Sequence, residues 1–260
     1  MKYDAQLLFK QKEVSENLKR IGGLELPELK PILPVENPYW YRNKMEFSFS
    51  NQRWLTKEEV DSGAEFNRNA LGFHKPGMWD KIVDVSTCHL QADPSNAIRN
   101  FVRAYAHENS ISFFDPKNKA GFLRSLMIRT TSTEEVMIVL QVFHKEDTIL
   151  FPVLDALARE FPDITSLQYV INGKANDTLY DQEIVCYKGQ DYITEVMEAL
   201  QFRITAKSFY QTNSLQAFEL YKVVRELADL QGDELVYDLY TGTGTIAQFV
   251  AQKAQKVVGV

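Results

Sequence analysis

Val236-Tyr-Asp-Leu-Tyr-Thr-Gly-Thr-Gly-Thr245, then the helix-forming run Ile246–Ala254, then Lys256-Val-Val-Gly-Val260, lie within the last 25 residues of the chain. An apolar run enters a Gly-x-Gly turn, the turn opens a helix, and a second apolar run follows. That order is the opening βαβ unit of a parallel sheet of the nucleotide-binding type. Gly242 and Gly244 let the backbone pass close to a ligand and tolerate positive φ. Asp238, at the end of the first strand, is placed to orient the loop. A Gly-x-Gly alone is also an ordinary structural turn; the ordered strand, turn, helix and strand give it more weight. One parallel pair cannot bury both of its faces. The expectation is the start of an α/β Rossmann-like domain, cut after its first βαβ unit.

Working upstream, Phe209-Tyr-Gln-Thr-Asn213 precedes a predicted helix from about Ser214 to Leu230. Asn213 is placed to cap that helix, and the Gln211 amide is free to meet an adenosine, an amino-acid moiety or a base edge. The middle of the chain reads as α+β with mostly antiparallel pairing. In Met45–Ser50 strict alternation puts Met45, Phe47 and Phe49 on one face, the mark of a half-buried strand. Further strands are expected at Leu71–His74, Lys81–Val85, Leu167–Asn172 and Thr178–Tyr187. A hairpin is expected from Leu123–Thr130 and Glu135–Phe143, and helices over Asp93–Asn109 and Phe151–Phe161. Asn51–Asn69 reads as a polar loop. Tyr3–Gly22 reads as an amphipathic helix, followed by an extended connector holding Pro27, Pro31, Pro34 and Pro38.

The chain has 260 residues, enough for one or two domains, and 45% of them are hydrophobic, so a sizeable core is available. No stretch is apolar for long enough to cross a membrane and no signal peptide is visible. Cys88 and Cys186 form no Cys-x-x-Cys pair, which argues against a metal cluster or a disulfide framework and suits a reducing cytoplasm. The four histidines lie far apart, with no ligand-like spacing. The net charge of −6 argues weakly against indiscriminate nucleic-acid binding, but its distribution is uneven. Tyr41–Lys57 carries Arg42, Lys44, Arg53 and Lys57 against Glu46, and Lys117–Arg129 carries Lys117, Lys119, Arg124 and Arg129 with no acid. Asn176–Glu198 is acidic. Tyr41, Arg42 and Lys44 interleave aromatic and basic side chains. That suits stacking on unpaired bases beside phosphates, and it equally suits a core strand with a charged edge.

Asp238-Leu-Tyr-Thr-Gly-Thr-Gly-Thr245 looks more like the first motif of S-adenosylmethionine (SAM) methyltransferases than an NAD site, because the third glycine is missing. In that class an acid at the end of the second strand holds the ribose; here it would be the residue after Val260. With Tyr3–Val14, Tyr41-Arg-Asn-Lys-Met-Glu-Phe47 and Phe209-Tyr-Gln-Thr-Asn213, all in order, the whole chain resembles the SAM-dependent RNA uridine C5-methyltransferases. These act on tRNA or on large-subunit ribosomal RNA. The resemblance implies residues 1–34 as a helix and linker associated with the catalytic domain, 35–207 as a central RNA-gripping domain, and 208–260 as the start of the methyltransferase domain. It implies cofactor contacts at Gln211, Tyr240 and Thr245 beside Asp238, Gly242 and Gly244; many members carry Asn at the position of Thr245. It implies RNA contacts at Tyr41, Arg42, Lys44 and Phe209, and more loosely at Arg124 and Arg129.

The chemistry implied is addition of a cysteine thiolate to uridine C6, methylation at C5, proton removal by a carboxylate and release of the cysteine. Cysteine and base are both expected beyond Val260, so this chain alone is expected to be inactive, with no catalytic residue of its own. An iron–sulfur cluster of the parent would lie upstream. The RNA is expected to be large-subunit (23S) rRNA, with tRNA as the alternative; no membrane and no protein partner are expected. Two rivals remain open: a non-catalytic RNA-binding module, and a SAM enzyme acting on small molecules.

Overall fold

The strand Val136–Val142 is buried at all seven positions, so both of its faces are covered. Its sequence, Val-Met-Ile-Val-Leu-Gln-Val, explains why: a continuous apolar run suits a sheet packed on two sides. The computed structural model describes residues 1–260, in two units, 1–40 and 41–260.

In the first unit, α1 (Tyr3–Arg20) is followed by the extended proline-rich connector. The Gln11 side chain accepts from Ile32 N–H at 3.0 Å, and the Tyr3 hydroxyl accepts from Val35 N–H at 2.8 Å, tying connector to helix. The unit runs to Trp40, beyond the expected end at residue 34.

The second unit is organised on a seven-stranded sheet. Its elements in chain order are β1 (Lys44–Ser50), α2 (Lys57–Asp61), β2 (Ala70–Lys75), β3 (Met78–Asp84), α3 (Ser95–Glu108), β4 (Leu123–Thr130), β5 (Val136–Val142), α4 (Asp147–Glu160), β6 (Ser166–Ile171) and β7 (Ile184–Gly189). A hairpin follows, β8 (Tyr192–Met197) and β9 (Leu200–Thr205), then α5 (Ser214–Ala228) and the closing unit β10 (Leu235–Asp238), α6 (Thr245–Ala251) and β11 (Lys256–Gly259). The sheet order is β3-β2-β1-β4-β5-β6-β7, all antiparallel except β5–β6, whose parallel pairing is bridged by α4. No helix is long and apolar enough to cross a membrane.

One sheet face, with Phe47, Leu126, Ile138 and Leu140, packs on α3 and α4. The opposite face, with Met127, Met137 and Val139, packs on Ile193 and Phe202 of the hairpin, Ala217 and Tyr221 of α5, and Phe249 of α6. That shared core joins residues 41–260 into one compact unit. Three elements also differ from expectation. Asn51–Asn69 contains α2, which opens on a capping box between Thr56 and Glu59. Thr178–Glu183 is loop, and the strand expected there begins at Ile184. The β8–β9 hairpin was not anticipated.

The loop before β4 is fastened by Asp115, whose carboxylate accepts from Asn51 Nδ2 (3.0 Å), the N–H groups of Lys117 (2.9 Å) and Asn118 (3.0 Å), and Asn118 Nδ2 (3.0 Å). Those donors, the Asn51 amide foremost, hold its pKa down at about 2, against an ordinary 3.8. A depressed carboxylate stabilises the fold fully above the ordinary value and loses that contribution as pH falls towards the folded one. Asp115→Ala should therefore cost about 2 kcal/mol at neutral pH. In urea titrations the gap from the parent chain should close between about pH 4 and pH 2; a gap independent of pH would refute this.

Candidate cofactor turn and nucleic-acid cleft

The β10–α6 turn is built around Asp238. Gly244, the N-cap position of α6, has no side chain to cap the helix. Asp238 supplies the acceptor instead: its Oδ2 takes a hydrogen bond from Ala247 N–H at 3.0 Å and another from Thr241 Oγ1 at 2.8 Å. Tyr240, Gly242 and Gly244 all have positive φ, at 61°, 55° and 73°. Gly242 has open space where a Cβ would sit, with no atom closer than 3.9 Å. Tyr240 is 98% exposed, its ring projecting from the turn. Thr245 is buried and is hydrogen-bonded to the Tyr221 hydroxyl of α5. The turn is thus an open cradle whose backbone is fixed from beneath, which fits the adenosine and amino-acid parts of a SAM-type cofactor.

The segment Phe209–Asn213 is fixed from the side. Asn213 caps α5, its Oδ1 accepting from Gln216 N–H at 3.0 Å. Asn43 Nδ2 donates to the Gln211 carbonyl at 2.8 Å and to Ser214 Oγ at 2.7 Å. Ser214 Oγ donates to Glu195 Oε2 at 3.0 Å. Glu195 is 1% exposed, and its other oxygen accepts from the Ser132 hydroxyl, Ser132 N–H (3.1 Å) and Val196 N–H (3.2 Å). Gln211 keeps an exposed side chain on this fixed backbone. The sequence reading missed Glu195; a buried acid within an acidic stretch leaves no separate signal.

Beside this segment lies a cleft of about 330 Å³. Its floor is Lys44 and Glu46 of β1 and Arg129 of β4; its walls are the stretches 177–180 and 206–210 with Thr212. Lys44 is ion-paired with Glu46. Arg129, expected at an RNA surface, is only 3% exposed and donates to the Ser208 carbonyl at 2.7 Å, while its Nε has no partner. Burial lowers its pKa to about 10, with Glu46 opposing the shift, so it stays charged at neutral pH. The buried Tyr210 hydroxyl is also unpartnered, and burial pushes its pKa up. Phe209 stands 66% exposed on the wall. Tyr41 and Arg42 are half-buried, the guanidinium 5.9 Å from the Tyr41 ring.

Arg124, expected more loosely at an RNA contact, lies inside the protein. It is 6% exposed, lies 4.4 Å from the Phe114 ring, and donates to the carbonyls of Asn172 (2.5 Å) and Lys174 (2.8 Å). Its charge is spent inside the protein and is not offered to RNA. Cys88 is buried, Cys186 lies exposed on β7, and neither lines the cleft. No group of three or more His, Cys, Asp or Glu side chains is placed to hold a metal ion.

No protein-family model matches the chain. Its mixed α/β fold is similar to that of the tRNA (uracil-54, C5)-methyltransferase of Pyrococcus abyssi, solved in complex with S-adenosyl-L-homocysteine; the TM-score is 0.73 at 28% identity, over 100% of this chain and 56% of that one. The chain is also 52% identical to a protein of Porphyromonas gingivalis and 50% identical to one of Bacteroides thetaiotaomicron, each over 99% of its length and each named an uncharacterized RNA methyltransferase. It spans 57% and 58% of those two relatives. Together these likenesses support a place in an RNA methyltransferase family.

Proposed function

We propose that the chain is part of an RNA methyltransferase that modifies uridine at C5. The observation that carries this is structural: one core holds both the Gly-x-Gly cradle and the cationic, aromatic cleft. SAM, when bound, supplies an electrophilic methyl group. Gln211, Tyr240, Gly242, Gly244 and Thr245 would hold it, with Asp238 keeping the turn in shape. Phe209 offers a face for an unpaired base, and Lys44 and Arg129 place positive charge beneath it. Tyr41 and Arg42 extend that grip. A base inside a helix must leave its stack to reach such a cleft. Neither Cys88 nor Cys186 is assigned the thiolate addition, so the 260 residues alone should transfer no methyl group.

The RNA is proposed to be large-subunit rRNA, on the length of the central domain and the character of α1; the P. abyssi neighbour's name favours tRNA instead. A cytoplasmic setting is proposed on the two free thiols. The test is to incubate the full-length protein with methyl-labelled SAM and separated rRNA and tRNA, then digest each pool and identify the labelled nucleoside. Labelled 5-methyluridine in the rRNA pool is expected. Label in tRNA would move the substrate, label on another nucleoside would overturn the C5 assignment, and no label in either pool would overturn the activity.

A further inference from the structure

The loop between β6 and β7 has no regular structure, yet buried polar side chains hold it by its carbonyls. Arg124 donates to Asn172 and Lys174, between the rings of Phe114 (4.4 Å) and Phe143 (5.7 Å). The buried Asn172 amide donates to the carbonyls of Asn176 (3.1 Å) and Thr178 (3.4 Å), and the buried Gln141 amide to that of Asp177 (3.1 Å). Lys207, on the opposite wall of the cleft, donates to the Gln182 carbonyl at 2.6 Å. Burying a guanidinium without a carboxylate partner is costly, and here it serves to hold a surface loop still.

What the loop presents is Tyr180. The residue is 72% exposed, while the chain on either side of it is held, at the Thr178 carbonyl by Asn172 and at the Gln182 carbonyl by Lys207. It lines the same cleft as Phe209, which is 66% exposed on the other wall segment. Arg129 lines the same cleft. Two exposed rings on fixed backbones, over a buried cation, make a stacking site for a flat, electron-rich ring attached to a phosphate chain.

We propose that Tyr180 and Phe209 form the two walls of a clamp for one unpaired RNA base, and that Arg124 is the positioning residue that holds the Tyr180 wall. The proposal rests on the RNA reading above and adds to it a recognition residue and the loop that carries it. An exposed, rigidly held aromatic contributes contact area with little left to lose in ordering.

The experiment uses the full-length protein without SAM and a short single-stranded oligouridine with one central 2-aminopurine, whose fluorescence falls when it stacks. Affinity is read from anisotropy of an end label and stacking from 2-aminopurine quenching. The parent chain should bind with a marked salt dependence and quench. Tyr180→Ala should weaken binding about tenfold and remove most of the quenching, whereas Tyr180→Phe should keep both. Tyr180 is exposed, so these variants should fold, which a thermal melt verifies. If Tyr180→Ala binds and quenches like the parent while Phe209→Ala loses both, the clamp is wrong and the RNA cleft stands. If the parent chain shows no salt-sensitive binding, the RNA reading falls, and the clamp with it.

Discussion

Glu195→Ala is expected to lower the melting temperature by roughly 6–20 °C, the largest stability effect of any single site described above. The carboxylate is 1% exposed and accepts four hydrogen bonds, from the hydroxyl and N–H of Ser132, from Val196 N–H and from Ser214 Oγ. Truncation leaves a void at a buried position and removes four hydrogen bonds to a charged acceptor, a loss of about 3–5 kcal/mol together. Each kcal/mol moves the midpoint of a unit this size by about 2–4 °C. Glu195→Gln preserves shape and one acceptor oxygen, so it should lose clearly less. A shift below 2 °C for the alanine variant would show that the network contributes little. Because Ser214 Oγ also accepts from Asn43, which holds the Gln211 carbonyl, the same variant should loosen the Phe209–Asn213 segment.

The second large effect is functional. In the full-length protein, Asp238→Ala should weaken binding of S-adenosyl-L-homocysteine about 100-fold or more by isothermal titration calorimetry. One oxygen of Asp238 accepts both from Thr241 Oγ1 and from Ala247 N–H. Hydrogen bonds to a charged group each contribute about 1.5–3 kcal/mol, and losing both frees a turn that otherwise keeps Tyr240, Gly242 and Gly244 at positive φ. Asp238→Asn keeps a single neutral acceptor and should fall between parent and alanine variant. Unchanged affinity in Asp238→Ala would mean that the turn is held by other contacts.

Much of this fold is legible in the residues, for identifiable reasons. β1 shows because Met45, Phe47 and Phe49 alternate with polar neighbours, and the Gly-x-Gly turn shows because glycine is the residue that accepts its backbone. The β8–β9 hairpin hides because Glu195 points inward where alternation demands an apolar residue: Ile193 and Met197 are buried on its side of the strand. The glycine turn of the candidate site is legible in its motif, whereas the surroundings of its cations are not. A run of cations without acids suggests a surface, yet Arg124 and Arg129 are buried. Only the packing distinguishes an arginine that meets a ligand from one that meets a carbonyl. Tyr180 carried no signal at all, because its importance comes from a cleft assembled by residues far away in the chain.

Met137, Ile193, Tyr221 and Phe249 share one core. Arg225 of α5 lies 4.2 Å from the Phe249 ring and grips Glu198, at the hairpin's tip, with both of its terminal nitrogens. Glycine turn and cleft are therefore tied through one core. Under the proposed function, the span between methyl donor and acceptor would be set by packing at Phe249 and Tyr221, and the RNA would have to distort until one of its nucleotides fits that span.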